Sequence, residues 1–230
     1  MAKRKQVTNL VKHNLELVAV HPKTDNQEQF LKQSDDTPHF MLLGMAGTGK
    51  TFLALYKALQ LVNEGKVNKI TIFRSSVASR DLGFLPGTVQ EKMSVFETPY
   101  RIIVNKLLGR DDGYDLLVKI GIISFESSSF QRGTTLDNQV VVIDEIQNMF
   151  ANELDTLITR CGKDTRYLLC GDLMQQDLRK SNEKDVYKVI DILKSLHTFN
   201  WIEFGLEDIV RSGMVKEYLI NKYNMYPEGY

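Results

Sequence analysis

Residues 44–51 read GMAGTGKT, which fits the spacing G-x-x-x-x-G-K-[S/T]. The apolar run Phe40–Leu43 stands before it. After it, residues 50–63 carry Phe52, Leu55, Leu59 and Val62 at helical spacing, with Gly65 to end the helix. Strand, glycine-rich turn, then helix is what an oligophosphate needs. Gly44, Gly47 and Gly49 let the backbone bend so that the N–H groups of the loop, with Met45, Ala46 and Thr48 between the glycines, point inward. The positive end of the following helix adds to the attraction. In such a loop Lys50 reaches the β- and γ-phosphates, the Thr51 hydroxyl ligates magnesium, and Phe52 joins the nucleotide-contacting set. The alternative, a glycine turn with an incidental lysine, leaves the acidic pair downstream unexplained.

That pair lies in VVVIDEIQN, residues 140–148. Asp144 ends an apolar strand expected beside the glycine loop, where its carboxylate holds magnesium, usually through water. Glu145 would orient and polarise the attacking water. A small-molecule kinase shares the loop but must exclude water, so the acidic pair favours a nucleoside triphosphatase. Farther on, GDLMQQD at 171–177 puts Asp172, Gln175 and Gln176 on a loop that can meet the γ-phosphate or the lytic water. A glutamine can orient that water, and Gln175 is the candidate for it.

The remaining chain alternates strands and helices. Short strands are expected at Leu15–Val20, Phe40–Leu43, Ile70–Phe73, Ile120–Phe125, Val140–Ile143, Tyr167–Cys170 and Trp201–Phe204. Helices are expected at Asn26–Lys32, 50–63, 88–108 with an interruption at Pro99, 149–160 with Asn148 as its cap, 182–196 and most of 206–223. This order predicts an α/β fold, a mostly parallel sheet with helices on both faces. Residues 1–21 are read as a basic N-terminal arm ending in the first short strand, and 22–230 as a single domain, since 230 residues suit one large domain.

Lys+Arg and Asp+Glu both total 29. A zero net charge argues against a uniformly basic nucleic-acid binder but allows a local basic strip. Cys161 and Cys170 read as packing or bystander thiols, and the spacing offers no zinc site. The N-terminus has no apolar signal core and no run is long enough to span a bilayer, so a soluble cytoplasmic protein without a membrane partner is expected.

The strings GMAGTGKTFLAL, FLPGTVQEKM, RGTTLDNQVVVIDEIQN, LITRCG, GDLMQQDL and EDIVRSGMVKEYL occur in this order across residues 22–220. Together they resemble PhoH-like proteins, P-loop ATPases related to the first motor lobe of superfamily 1 helicases. The resemblance implies a RecA-like P-loop NTPase domain that uses ATP and Mg2+. It implies that Gln27 reads the adenine edge, a task a glutamine amide can perform bidentately. It also implies that Arg74 and Arg80, after the second strand, touch a nucleic-acid backbone, with Lys92 joining them. Phe84 is the loop aromatic best placed to stack a base, whereas Phe73 and Phe125 fall at strand positions that suit the core.

Arg132, Arg160 and Arg211 are the candidates for γ-phosphate contact, Arg160 and Arg211 being the candidate arginine fingers. A chain with room for one lobe would take its finger from a neighbouring subunit, which implies a homo-oligomeric, head-to-tail ring, by analogy a hexamer. Departures from the family pattern stand at Ser75, Thr134 and Ser212-Gly213, and the missing arginine at Thr134 weakens the RNA-contact reading. Three functions compete. The first is an ATPase, helicase-like, acting on single-stranded RNA or DNA. The second is an ATP-switched ring that recruits a ribonuclease or another protein without unwinding. The third is a P-loop kinase.

Overall fold

The computed structural model describes residues 14–33, 38–74, 89–127, 135–172 and 183–226. Among these residues six strands form one sheet: β1 (His39–Gly44), β2 (Lys69–Arg74), β3 (Ile123–Ser127), β4 (Gln139–Asp144), β5 (Arg166–Gly171) and β6 (Phe199–Phe204). The order across it is β3-β2-β4-β5-β1-β6, and every pairing is parallel. The helices are α1 (Asp25–Lys32), α2 (Lys50–Asn63), α3 (Val89–Leu108), α4 (Gly113–Lys119), α5 (Ala151–Ile158), α6 (Glu183–Ser195) and α7 (Gly213–Met225).

The strands are short apolar runs because both of their faces are covered. Alternate residues enter two separate cores. Phe40, Leu42, Ile70, Ile72, Val140 and Val142 meet Phe30 of α1, Leu55 and Leu59 of α2, Tyr100 and Val104 of α3 and Leu117 of α4. Met41, Leu43, Val141, Ile143 and Leu169 meet Leu154 and Leu157 of α5 and Val186, Ile190 and Leu193 of α6. The expected α/β architecture, with helices on both faces of a parallel sheet, is the one observed.

Several elements differ from the sequence reading. Residues 15–20 form no strand and pair with none among the described residues. Leu15 N–H donates to Asn63 Oδ1 at the end of α2, and Val18 N–H donates to the Leu107 carbonyl of α3. The apolar alternation there packs on helices instead of a sheet edge. Pro99 does not interrupt α3. The proline denies an N–H to the Val95 carbonyl, but Val95 and Thr98 lie on the solvent side, where water can satisfy it. The helix after β4 begins at Ala151 with Phe150 as its cap, because Asn148 is already used in a 3-10 turn over Ile146–Asn148. Glu153 reaches back to accept from Phe150 N–H. Helix α4 was not foreseen. Its end at Lys119 moves the start of β3 to Ile123. The stretch from 206 splits into a 3-10 turn, Leu206–Asp208, and α7.

The end of β1 is where the sheet constrains sequence most tightly. Gly44 has φ of 130°, and a Cβ built there would lie 2.1 Å from the Phe204 carbonyl oxygen of β6. Gly44→Ala should therefore lower stability by about 2–4 kcal/mol. Urea unfolding would measure it, and a loss within about 0.5 kcal/mol would show that the two strand ends are not this close.

Candidate active site

Seven separated parts of the chain meet at the carboxyl ends of the strands around a cavity of about 750 Å³. This is where open parallel sheets place ligands. The loop after β1 supplies Ala46, Gly47 and Gly49, and α2 supplies Lys50, Thr51 and Phe52. Asp144 at the end of β4 is followed by Glu145, Gly171 at the end of β5 by Asp172, and the segment before α7 adds Val210 and Arg211. Val18–Gln27 forms the wall beside Phe52, and Arg74 of β2 with Ile103 and Lys106 of α3 completes the lining.

The loop is held from outside by partners far away in sequence. Ala46 N–H donates to Asp172 Oδ2 at 2.8 Å. The Gly47 carbonyl accepts from Val210 N–H at 3.1 Å, and the Thr48 carbonyl accepts from Gln27 Nε2 at 2.9 Å. Gly49 caps α2 at φ 86° and ψ 15°, a left-handed conformation that a side chain would strain. The Lys50 ammonium donates to the Gly44 and Met45 carbonyls, each at 2.7 Å. Burial lowers its pKa, and the charges of Asp172, Cys170, Asp144 and Glu145 oppose that shift.

Thr51 Oγ1 donates to Asp144 Oδ1 at 3.0 Å, and Tyr100 Oη of α3 donates to Asp144 Oδ2 at 3.0 Å. Burial raises the Asp144 carboxyl from 3.8 to about 6, and the Glu145 carboxylate adds to the rise. The hydroxyls of Thr51 and Tyr100 and the charge of Arg74 pull it back. Glu145 itself has φ 56° and ψ 46°. A non-glycine residue in that region stores strain, which recurs at functional positions. Its carboxylate accepts from Gln147 Nε2, and Gln147 Oε1 accepts from Asp172 N–H at 3.0 Å. One buried amide thus links the ends of β4 and β5.

These groups fit a magnesium-bound oligophosphate. The glycines open a backbone cradle, an ammonium stands at its lip, and an all-oxygen pair, Thr51 and Asp144, faces the same cavity. Gln27 is buried and lines the cavity; its Oε1 accepts from Lys23 N–H. Each end of the amide keeps one further hydrogen-bonding position, enough for a base edge.

The structure relocates several expected residues. Arg74 lies in the cavity wall as the β2 neighbour of Asp144, its guanidinium 5.8 Å from the centre of the Phe96 ring. Arg211 lines the cavity of its own chain, its Cγ close above Gly47. Arg160 is elsewhere. Helix α5 runs back along the sheet, and the Arg160 carbonyl accepts from Leu136 N–H before β4 begins. Arg160 therefore cannot reach the cavity of its own chain. Gln175, Gln176, Arg80, Phe84, Arg132 and the Lys92 side chain lie outside the described residues.

Sequence reasoning missed Tyr100, Gln147 and the Val18–Lys23 wall. Gln147 had a signal, its place two residues after Glu145 in a short turn. Tyr100 had none, being separated from Asp144 by 44 positions.

The cradle, the acidic strand end and the parallel sheet define a RecA-like P-loop domain of the α/β class. The chain belongs to the PhoH-like protein family, whose model matches residues 19–224. It is 32% identical over 215 residues to a PhoH-like protein of Mycobacterium leprae, covering 91% of this chain and 60% of that one. A PhoH-like protein of Bacillus subtilis is 31% identical over 207 residues, covering 90% of this chain and 64% of the relative. Protein PhoH of Escherichia coli K12 is 30% identical over 199 residues, covering 86% and 56%. The chain thus spans about three-fifths of the length of these relatives. Among the described residues, no helix is long and apolar enough to cross a membrane.

The raised Asp144 pKa makes a pH prediction. Between about pH 4 and 6 the folded, ligand-free chain keeps a proton that the unfolded chain has released. Stability is therefore lost as pH rises through that window and levels off above it. Going from about pH 4.5 to about pH 7.5, the wild type should lose about 2 kcal/mol relative to Asp144→Asn. Parallel denaturation curves for the two proteins would contradict the burial-driven shift.

Proposed function

We propose that this domain binds ATP with Mg2+ and hydrolyses it, acting on single-stranded RNA or DNA as a ring-forming, helicase-like ATPase. The observation that carries the nucleotide reading is the meeting of Thr51 of the glycine loop with Asp144 of β4, at 3.0 Å, in the cavity that Lys50 and Glu145 also line. The backbone N–H groups of residues 47–51, at the start of α2, would hold the phosphates. Lys50 would exchange its two carbonyl partners for phosphate oxygens. Thr51 and Asp144 would hold Mg2+, which supplies charge neutralisation at the phosphates when bound. Glu145, steadied by Gln147, would take the proton of the attacking water. Gln27 would receive the adenine edge beside Phe52, over whose ring the Lys106 ammonium stands at 5.7 Å.

Arg211 is the candidate to meet charge developing on the γ-phosphate from within the chain, whereas Arg160 could serve only a neighbour's cavity. The nucleic-acid and ring readings draw on the resemblance to helicase-like ATPases. The second reading, an ATP-switched assembly module that recruits a ribonuclease or another protein, is favoured by α7. None of its residues is buried, and Met214 and Met225 are exposed.

The test is ATP hydrolysis with and without single-stranded RNA or DNA, beside Glu145→Gln. That variant should keep ATP affinity and lose turnover by roughly 10²-fold or more. Stimulation by polynucleotide supports the motor, and hydrolysis indifferent to it supports the assembly module. ATP binding without turnover in any condition would contradict the hydrolytic reading.

A further inference from the structure

Tyr100 is fully buried on α3, its ring against Phe125 with centroids 5.5 Å apart. A buried phenol needs a partner, and a backbone carbonyl would serve. Here the partner is the carboxylate at the end of β4, at 3.0 Å. The other oxygen of that carboxylate is held by Thr51, from α2. Two hydroxyls from two helices grip opposite oxygens, so the group cannot turn about its Cβ–Cγ bond without breaking one of them. Arg74, next to Asp144 across β2 and β4, is the competing donor for a carboxylate that turned.

We propose that Tyr100 is a positioning residue for magnesium, fixing the Asp144 carboxylate so that Oδ1 and the Thr51 hydroxyl face the metal together. This rests on the Mg·ATP reading above. A ligand held by outer partners binds its metal without first being ordered. Without the phenol hydroxyl, Oδ2 is left buried and unpaired, and the carboxylate is drawn away from Thr51.

The measurement is binding of a fluorescent ATP analogue as a function of Mg2+ concentration, and again in chelator. Tyr100→Phe keeps the ring and its packing. It should raise the Mg2+ half-saturation roughly tenfold, as expected for one hydrogen bond to a charged group, and leave metal-free affinity within about twofold. Val104→Ala, one turn along α3 in the same core, should lower stability and leave the half-saturation unchanged. Phe125→Leu keeps the hydroxyl and loosens its support, and should raise the half-saturation by about two- to fivefold. It decides the matter should Tyr100→Phe fail to fold. An unchanged half-saturation in Tyr100→Phe, or an equal rise in Val104→Ala, overturns the positioning role and leaves the Mg·ATP reading standing. Wild-type binding that ignores Mg2+ overturns both.

Discussion

The site depends on how a buried carboxylate is kept. Asp144 is 7% exposed at the end of the central strand β4. A charge in such a place is tolerated only with close hydrogen-bond donors. The chain supplies Thr51 from α2 and Tyr100 from α3, and the charge of Arg74 on the neighbouring strand favours the ionised form. Each donor comes from a different element, so meeting the requirement of one side chain fixes the glycine loop, the sheet and α3 against one another. The raised pKa shows that the compensation is incomplete. A divalent cation is the partner that would complete it.

The glycine loop shows the same economy. Its outward-facing groups are engaged by Asp172, Val210 and Gln27, so the fold holds its shape without a phosphate. Lys50 caps the Gly44 and Met45 carbonyls. A phosphate would substitute for partners already present, so little ordering cost would remain at the moment of binding. Gln147 extends the arrangement to the end of β4, because one amide holds both the Glu145 carboxylate and the Asp172 backbone.

What the sequence disclosed follows from the range of the forces involved. The glycine loop, β1, α2 and the strand before Asp144 are local patterns, and each stands where it was read. The parallel sheet was legible because buried strands read as continuous apolar runs. Residues 15–20 show the limit of that signal, since apolar alternation records burial of a face and not the kind of surface that covers it. The Pro99 expectation failed for a related reason. The cost of a helical proline depends on whether water reaches the freed carbonyl, and a sequence does not give exposure. Arg74 and Arg160 were assigned by position along the chain. Their locations follow from strand register and from the length of α5, which only the assembled sheet determines.

The wall of the cavity away from the strand ends is the part no local motif encodes. It is built by the segments that precede and follow the alternating core. Val18–Lys23 is pinned to the end of α3 through the Leu107 carbonyl, and Val210 is pinned to the phosphate loop through the Gly47 carbonyl. Asn26 ties the two regions together, donating to Asp208 Oδ2 at 2.7 Å, and Asp208 also accepts from Gly205 N–H. Asp208 is 1% exposed, so this link is a buried carboxylate whose Oδ2 takes two donors. The strand ends supply the charged groups of the cavity, and these flanking segments, joined through a second buried carboxylate, close the space beside them.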